Sequence, residues 1–184
     1  MIATAVVAHP DDCLIFARPF IDAHSEFTWS IVYLTYKAAD ARAVEIAKYW
    51  HARNISTKFL GFVDTHVDMQ TDSLSFSKDD ATTAIIKSSK HADLVLTHNE
   101  DGDYGHIHHK FVNAVVEYID KPKVYFASTF NYTNEYTATS EMDINKFPLH
   151  KEVLTQFSGL DVGRYIVTEA AITLIENLHA HINT

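Results

Sequence analysis

Residues 3–13 read ATAVVAHPDDC, an unbroken run of small and β-branched apolar residues that stops at a histidine, a proline and two carboxylates. A strand covered on both faces reads as a continuous apolar run rather than an alternating one, so Ala3–His9 is predicted as a buried strand. Pro10 suits the first turn of a helix, which is predicted to run to Ala23. The same pattern repeats downstream, where WSIVYLTY (29–36), TKFLGF (57–62), DLVLTH (93–98) and KVYFAS (123–128) are predicted strands. Between them lie amphipathic stretches. Asp40 opens a helix to about His51 with Ala41, Val44, Ala47 and Trp50 on one face, and a second helix covers about Asp79–His91. A third follows Gly105, with Phe111, Val112, Val115, Val116 and Ile119 as its core stripe. Ser128–Asp143 reads as a polar loop, and helices are expected at about Asn145–Phe157 and Thr168–Ile182.

Strands alternating with helices imply an α/β architecture: a three-layer, Rossmann-like fold with a mainly parallel sheet of order 3-2-1-4-5 and helices on both faces. A chain of 184 residues, 47% hydrophobic, has enough apolar surface for one core and too little for two, so residues 1–184 are read as a single domain. Ligands in such sheets gather at the carboxyl ends of the strands where the order reverses, here between strands 1 and 4. The loops AHPDDC and THNEDGDYGHIHH leave those two ends and are expected to meet in one crevice.

Composition removes several classes of function. A net charge of -9 with scattered Lys and Arg lacks the basic surface that binds a nucleic-acid backbone, although one or two cations suffice for a phosphorylated small molecule. Cys13 is the single cysteine, so any metal must rely on His and carboxylate. No stretch approaches the roughly 20 apolar residues of a membrane span. The opening MIATAVVAHPDD carries two carboxylates where a secretory signal has its apolar core, so the expected location is cytoplasmic. Twelve histidines is a high count, most of them assigned to packing or surface roles.

His9, Asp11 and Asp12 follow the first strand, and residues 9 and 12 can be aimed at one point by a turn opening into a helix. Imidazole and carboxylate suit zinc, whose catalytic sites take three protein ligands and leave a position open. Asp11, on another azimuth, stays free to act on water, while both carboxylates would equally suit a helix amino terminus. His106 and His109 are spaced i, i+3 at a predicted helix start, so one can complete the metal triad and the other can stay near the reacting carbonyl. His108 is expected to point elsewhere.

With these motifs the chain resembles the LmbE-like or PIG-L-type de-N-acetylases. That family opens with a strand and AHPDDE, against AHPDDC here, and carries a later GHxDH, matched by Gly105, His106, Ile107, His108 and His109. An Arg-x-x-Glu helix corresponds to Arg42 and Glu45, a Leu-Gly-Phe-x-Asp segment to Leu60–Asp64, and a late Lys followed by an aromatic to Lys151 and Phe157. The order and spacing hold over about residues 2–120. The resemblance implies a hydrolase that removes an N-acyl group, acetyl above all, from an N-acetylated sugar or conjugate. It implies one Zn2+ per chain, or another divalent metal, on His9, Asp12 and His109. Asp11 would be the general base toward water at the zinc, and a protonated His106 would stabilise the oxyanion. Arg42 and Asp64 match substrate-contacting positions, with a solvated helix charge and a turn carboxylate equally open. Oligomerisation is open as well, and specificity is assigned to the polar loops at 64–78 and 128–146.

Cys13 and His108 replace the family's usual Glu and Asp; Cys13 reads as a packed residue or an extra soft ligand. Because the proposed catalytic set is complete, an active enzyme is expected. The other readings are a catalytically silent metal- or ligand-binding module and an amidase for a non-sugar amide. A nucleotide-binding domain is disfavoured, since no Gly-rich loop follows strand 1.

Overall fold

A computed structural model describes residues 1–64, 74–127, 135–157 and 160–182; within the two loops assigned to specificity, 65–73 and 128–134 lie outside the described residues. The sheet contains β1 (Ile2–Val7), β2 (Thr28–Thr35), β3 (Ser56–Phe62), β4 (Leu94–Thr97), β5 (Lys123–Phe126), β6 (Glu135–Thr139) and β7 (Val162–Val167) in the order β3-β2-β1-β4-β5-β7-β6. The first five strands are parallel and in the expected order. The sheet is longer than expected, because β7 pairs antiparallel with β5 and β6 antiparallel with β7.

Successive side chains of a strand point to opposite faces, and β1 divides its residues accordingly. Ala3, Ala5 and Val7 enter one core layer, while Val6, with Ala8 just beyond the strand, enters the other. The first layer is closed by α1 (Arg18–Ala23), α2 (Ala41–His51), α6 (Lys151–Gln156) and α7 (Glu169–Ile182), through residues such as Phe20, Trp50, Leu154 and Ala171. The second is closed by α3 (Lys78–Ser89) and α5 (Ile107–Val116), through Ile85, Val112 and Val116. A single turn, α4 (Gly102–Gly105), precedes α5.

Three expectations need correction. The helix expected from Pro10 starts instead as a π-helix at Cys13–Ala17 and becomes α-helical only at Arg18, with Pro19 in its opening turn. The helix expected over Asn145–Phe157 is a 3-10 turn at Ile144–Lys146 followed by α6. Pro148 lies between them; it lacks a backbone donor and disfavours helical dihedrals at Phe147, which sits at φ -124°, ψ 64°. The segment read as loop before Asp143 contains β6.

Candidate active site

β1 and β4 are neighbours whose carboxyl ends lie where the strand order reverses, with Val6 paired to Thr97. Thr97 Oγ1 donates to the Val6 carbonyl at 2.9 Å, and the Ala8 N–H donates to His98 Nε2 at 3.0 Å. These bonds bring the two polar loops together. After β1 the chain turns sharply: the His9 N–H donates to Asp12 Oδ2 at 2.7 Å, and the Asp11 carbonyl accepts from Leu14 and Ile15 N–H to start the π-helix. Such π-turns are rare and occur often at functional sites.

The turn places His9 Nδ1 3.2 Å from Asp12 Oδ2. From the first turn of α5, His109 Nε2 lies 3.2 Å from the same His9 nitrogen and 3.3 Å from the same Asp12 oxygen. An ion holding tetrahedral ligands at ~2.0–2.1 Å sets neighbouring ligand atoms about 3.3–3.4 Å apart, so this donor set fits zinc in type and in spacing. All three residues are buried. Burial opposes charge on the two imidazoles, but Asp12 outweighs it, with Asp64 on His9 and Asp103 on His109, raising His109 and pushing His9 up to about 10. Burial also opposes charge on Asp12, and His109 and His9 still hold it well below the carboxylate range.

The remaining groups surround this triad. Asp11 Oδ1 accepts from Arg42 Nη2 at 2.9 Å, and Arg42 Nη1 donates to the Tyr36 hydroxyl at 2.9 Å. Burial and the neighbouring Asp12 charge raise the Asp11 pKa against the pull of His9 and Arg42. The His106 ring lies 4.7 Å, centroid to centroid, from both His9 and His109. Its Nδ1 accepts from the His108 N–H at 3.2 Å, which leaves the ring proton on Nε2. Burial, then positive charge on His9 and His109, lowers His106 to about 3. Those surroundings favour a neutral His106 ring, where a protonated one was expected. Asp64 Oδ1 lies 3.4 Å from His9 Nε2. A cleft of about 330 Å³ lined by Tyr36, Lys37, Phe62 and Asp64 adjoins it.

Several contributors lie outside the expected set. His108 Nδ1 is 3.1 Å from His9 Nε2, contrary to the expectation that it points away. Helix α5 meets the cluster with its first turn rather than with one stripe of its side, so consecutive residues reach it. Asp103, at φ +63°, bridges His98 and His109, contacting His109 Nδ1 at 2.8 Å. A carboxylate behind a ligating imidazole fixes its tautomer and orientation. Glu45 accepts from the Leu149 N–H at 3.1 Å and contacts His150 Nδ1 at 2.6 Å, tying α2 to the start of α6. Cys13 is a packed thiol: Sγ donates to the Pro10 carbonyl at 3.1 Å, accepts from Trp50 Nε1 at 3.0 Å and lies 2.8 Å from the Tyr33 hydroxyl. Burial pushes its pKa up.

Similar architectures occur among solved structures. A deacetylase of teicoplanin biosynthesis superposes with a TM-score of 0.61 at 10% identity, over 92% of this chain and 99% of that one. The deacetylase of the A40926 pseudoaglycone gives 0.53 at 14% identity, over 86% and 84%. The 4-carboxy-2-hydroxymuconate hydratase GalB of Pseudomonas putida KT2440 gives 0.55 at 16% identity, over 86% and 80%. At such identities the likeness shows the fold alone. No curated protein sequence matches the chain. The sequence model of the PIG-L family, described as GlcNAc-PI de-N-acetylase, matches residues 4–119, more than half of the chain and every residue from His9 to His109 discussed above. On that match the chain belongs to the PIG-L family and is a hydrolase of the de-N-acetylase class.

Proposed function

We propose that the protein is a zinc-dependent de-N-acetylase acting on an N-acetylated sugar or sugar conjugate, with the metal on His9, Asp12 and His109. The observation that carries this reading is the triangle of ligating atoms, 3.2, 3.2 and 3.3 Å on its sides, with Asp11 adjacent in sequence and unused by it. Two imidazoles and one carboxylate favour zinc among the common divalent ions. Zinc held there supplies Lewis acidity, which lowers the pKa of water toward about 7 and offsets the charge that develops on the carbonyl oxygen.

The chain's own groups do the rest. Asp11, oriented by Arg42, takes the proton from the attacking water, whose oxygen bonds to the amide carbon. His106 donates its Nε2–H to the carbonyl oxygen as that oxygen gains charge, which a neutral imidazole can do without first gaining a proton. Asp11 then hands its proton to the departing amine as the C–N bond breaks. Asp64 lines the adjoining cleft and supplies an acceptor for sugar hydroxyls, and the half-exposed Arg42 beside Asp11 supplies a positive charge for a hydroxyl or a phosphate.

The test is acetate release from a panel of N-acetylated sugars and sugar nucleotides by the zinc-loaded protein. Asp11→Asn should lower turnover about 100- to 10,000-fold, the range of positioned general bases. Turnover that survives this change rejects the base assignment, and bound zinc without turnover of any amide favours the silent binding module.

A further inference from the structure

Helix α7 crosses back over the amino-terminal edge of the sheet, at the end of the molecule away from the candidate active site. There the connection from α1 to β2 carries His24 and Glu26, and α7 carries His179. We propose that His24, Glu26 and His179 form a second divalent-cation site, selective for zinc-like transition metals, that fastens α7 to this connection.

The three residues converge on one point. Glu26 Oε1 lies 3.0 Å from His179 Nε2 and 3.4 Å from His24 Nδ1, and the three ligating atoms all lie within 4.8 Å of one another. These two separations bracket the roughly 3.3–3.4 Å that a tetrahedral ion with bonds of ~2.0–2.1 Å imposes. The two imidazoles come from segments 155 residues apart, by the numbers 179 and 24, so helical periodicity does not account for the meeting.

His24 is fixed in place and poorly satisfied. It is 5% exposed, its ring stacks on Phe27 at 5.2 Å and packs on Phe20 at 4.4 Å, and its carbonyl accepts from Trp29 Nε1 at 2.8 Å. Its Nε2 is buried with no hydrogen-bond partner, and Nδ1 has only the long contact to Glu26. Buried polar atoms left this way are uncommon and call for a partner. A cation on Nδ1 supplies that nitrogen with a strong partner in place of the long contact, while Nε2 carries the ring proton. Burial lowers the His24 pKa, so the ring is neutral and able to ligate near neutral pH. Glu26 and His179 are exposed and leave an entry path. Two imidazoles with one carboxylate select zinc, nickel or copper over magnesium and calcium.

Zinc per chain, measured by elemental analysis of the untagged protein after zinc loading and dialysis, tests this site. Wild type should hold two equivalents, and His179→Ala and Glu26→Gln one each, with acetate release at the wild-type rate. His9→Ala should keep one equivalent, and zinc should still raise its unfolding temperature. A single wild-type equivalent that His179→Ala loses and His9→Ala keeps would uphold this site and remove zinc from the candidate active site. Zinc content equal to wild type in both His179→Ala and Glu26→Gln overturns the inference, as does a single equivalent lost only with His9.

Discussion

His9 commits its backbone N–H and both ring nitrogens to the cluster. Its N–H meets Asp12, Nδ1 meets Asp12 and His109, and Nε2 meets His108 and Asp64. Much of this was legible in the sequence: HPDD after an apolar run and the HxxH spacing supplied His9, Asp11, Asp12, His106 and His109. His98 carried the same signal as His9, a histidine ending a buried strand with carboxylates two and three residues on, Glu100 and Asp101, and the sequence reading passed over it. Asp103 and His108 carried none, because their roles depend on a left-handed backbone at 103 and on α5 meeting the cluster end-on. His106→Ala should lower kcat about 100- to 1000-fold, the usual loss for an oxyanion donor. With its pKa lowered to about 3, the ring has lost its proton well below neutrality. The kcat/KM profile should therefore show no fall between about pH 6 and 8 that depends on residue 106. Such a fall, abolished by His106→Gln, would mean that the charged form acts.

Among the elements, the π-helix at Cys13–Ala17 and β7 depend on each other. Tyr165 of β7 is fully buried, accepts from the Phe20 N–H at 3.0 Å and donates to the Phe16 carbonyl at 2.6 Å, capping the seam between the π-turn and α1. Gly163 is required beside it, since a Cβ there would stand 2.0 Å from the Tyr165 hydroxyl oxygen. Tyr165→Phe removes both of these hydrogen bonds and should cost about 1–3 kcal/mol, read as a lower denaturant midpoint at unchanged slope. An unchanged midpoint would show that the seam has other support. The parallel strands were readable because burial on both faces makes them continuous apolar runs. β6 and β7 were not: EYTAT is largely exposed, and VGRYIV alternates exposed and buried residues around a glycine and an arginine. Antiparallel strands at a sheet margin lack the signal that gave the others away.

For the molecule as a whole, the fold locates the site without choosing the reaction. A hydratase and two deacetylases share the architecture, so the chemistry rests on which side chains stand at the strand ends. The family match ends at residue 119, short of β5, β6, β7, α6 and α7, and these elements bring their own groups to the core and to the second cation site. Among the described residues, no helix is long and apolar enough to cross a membrane. The most direct measurement is the anomalous scattering of zinc in crystals of the zinc-loaded protein, collected on both sides of the zinc absorption edge. The predicted result is a peak within about 2.0–2.2 Å of His9 Nδ1, Asp12 Oδ2 and His109 Nε2. A fully loaded crystal with no peak touching all three atoms would contradict it.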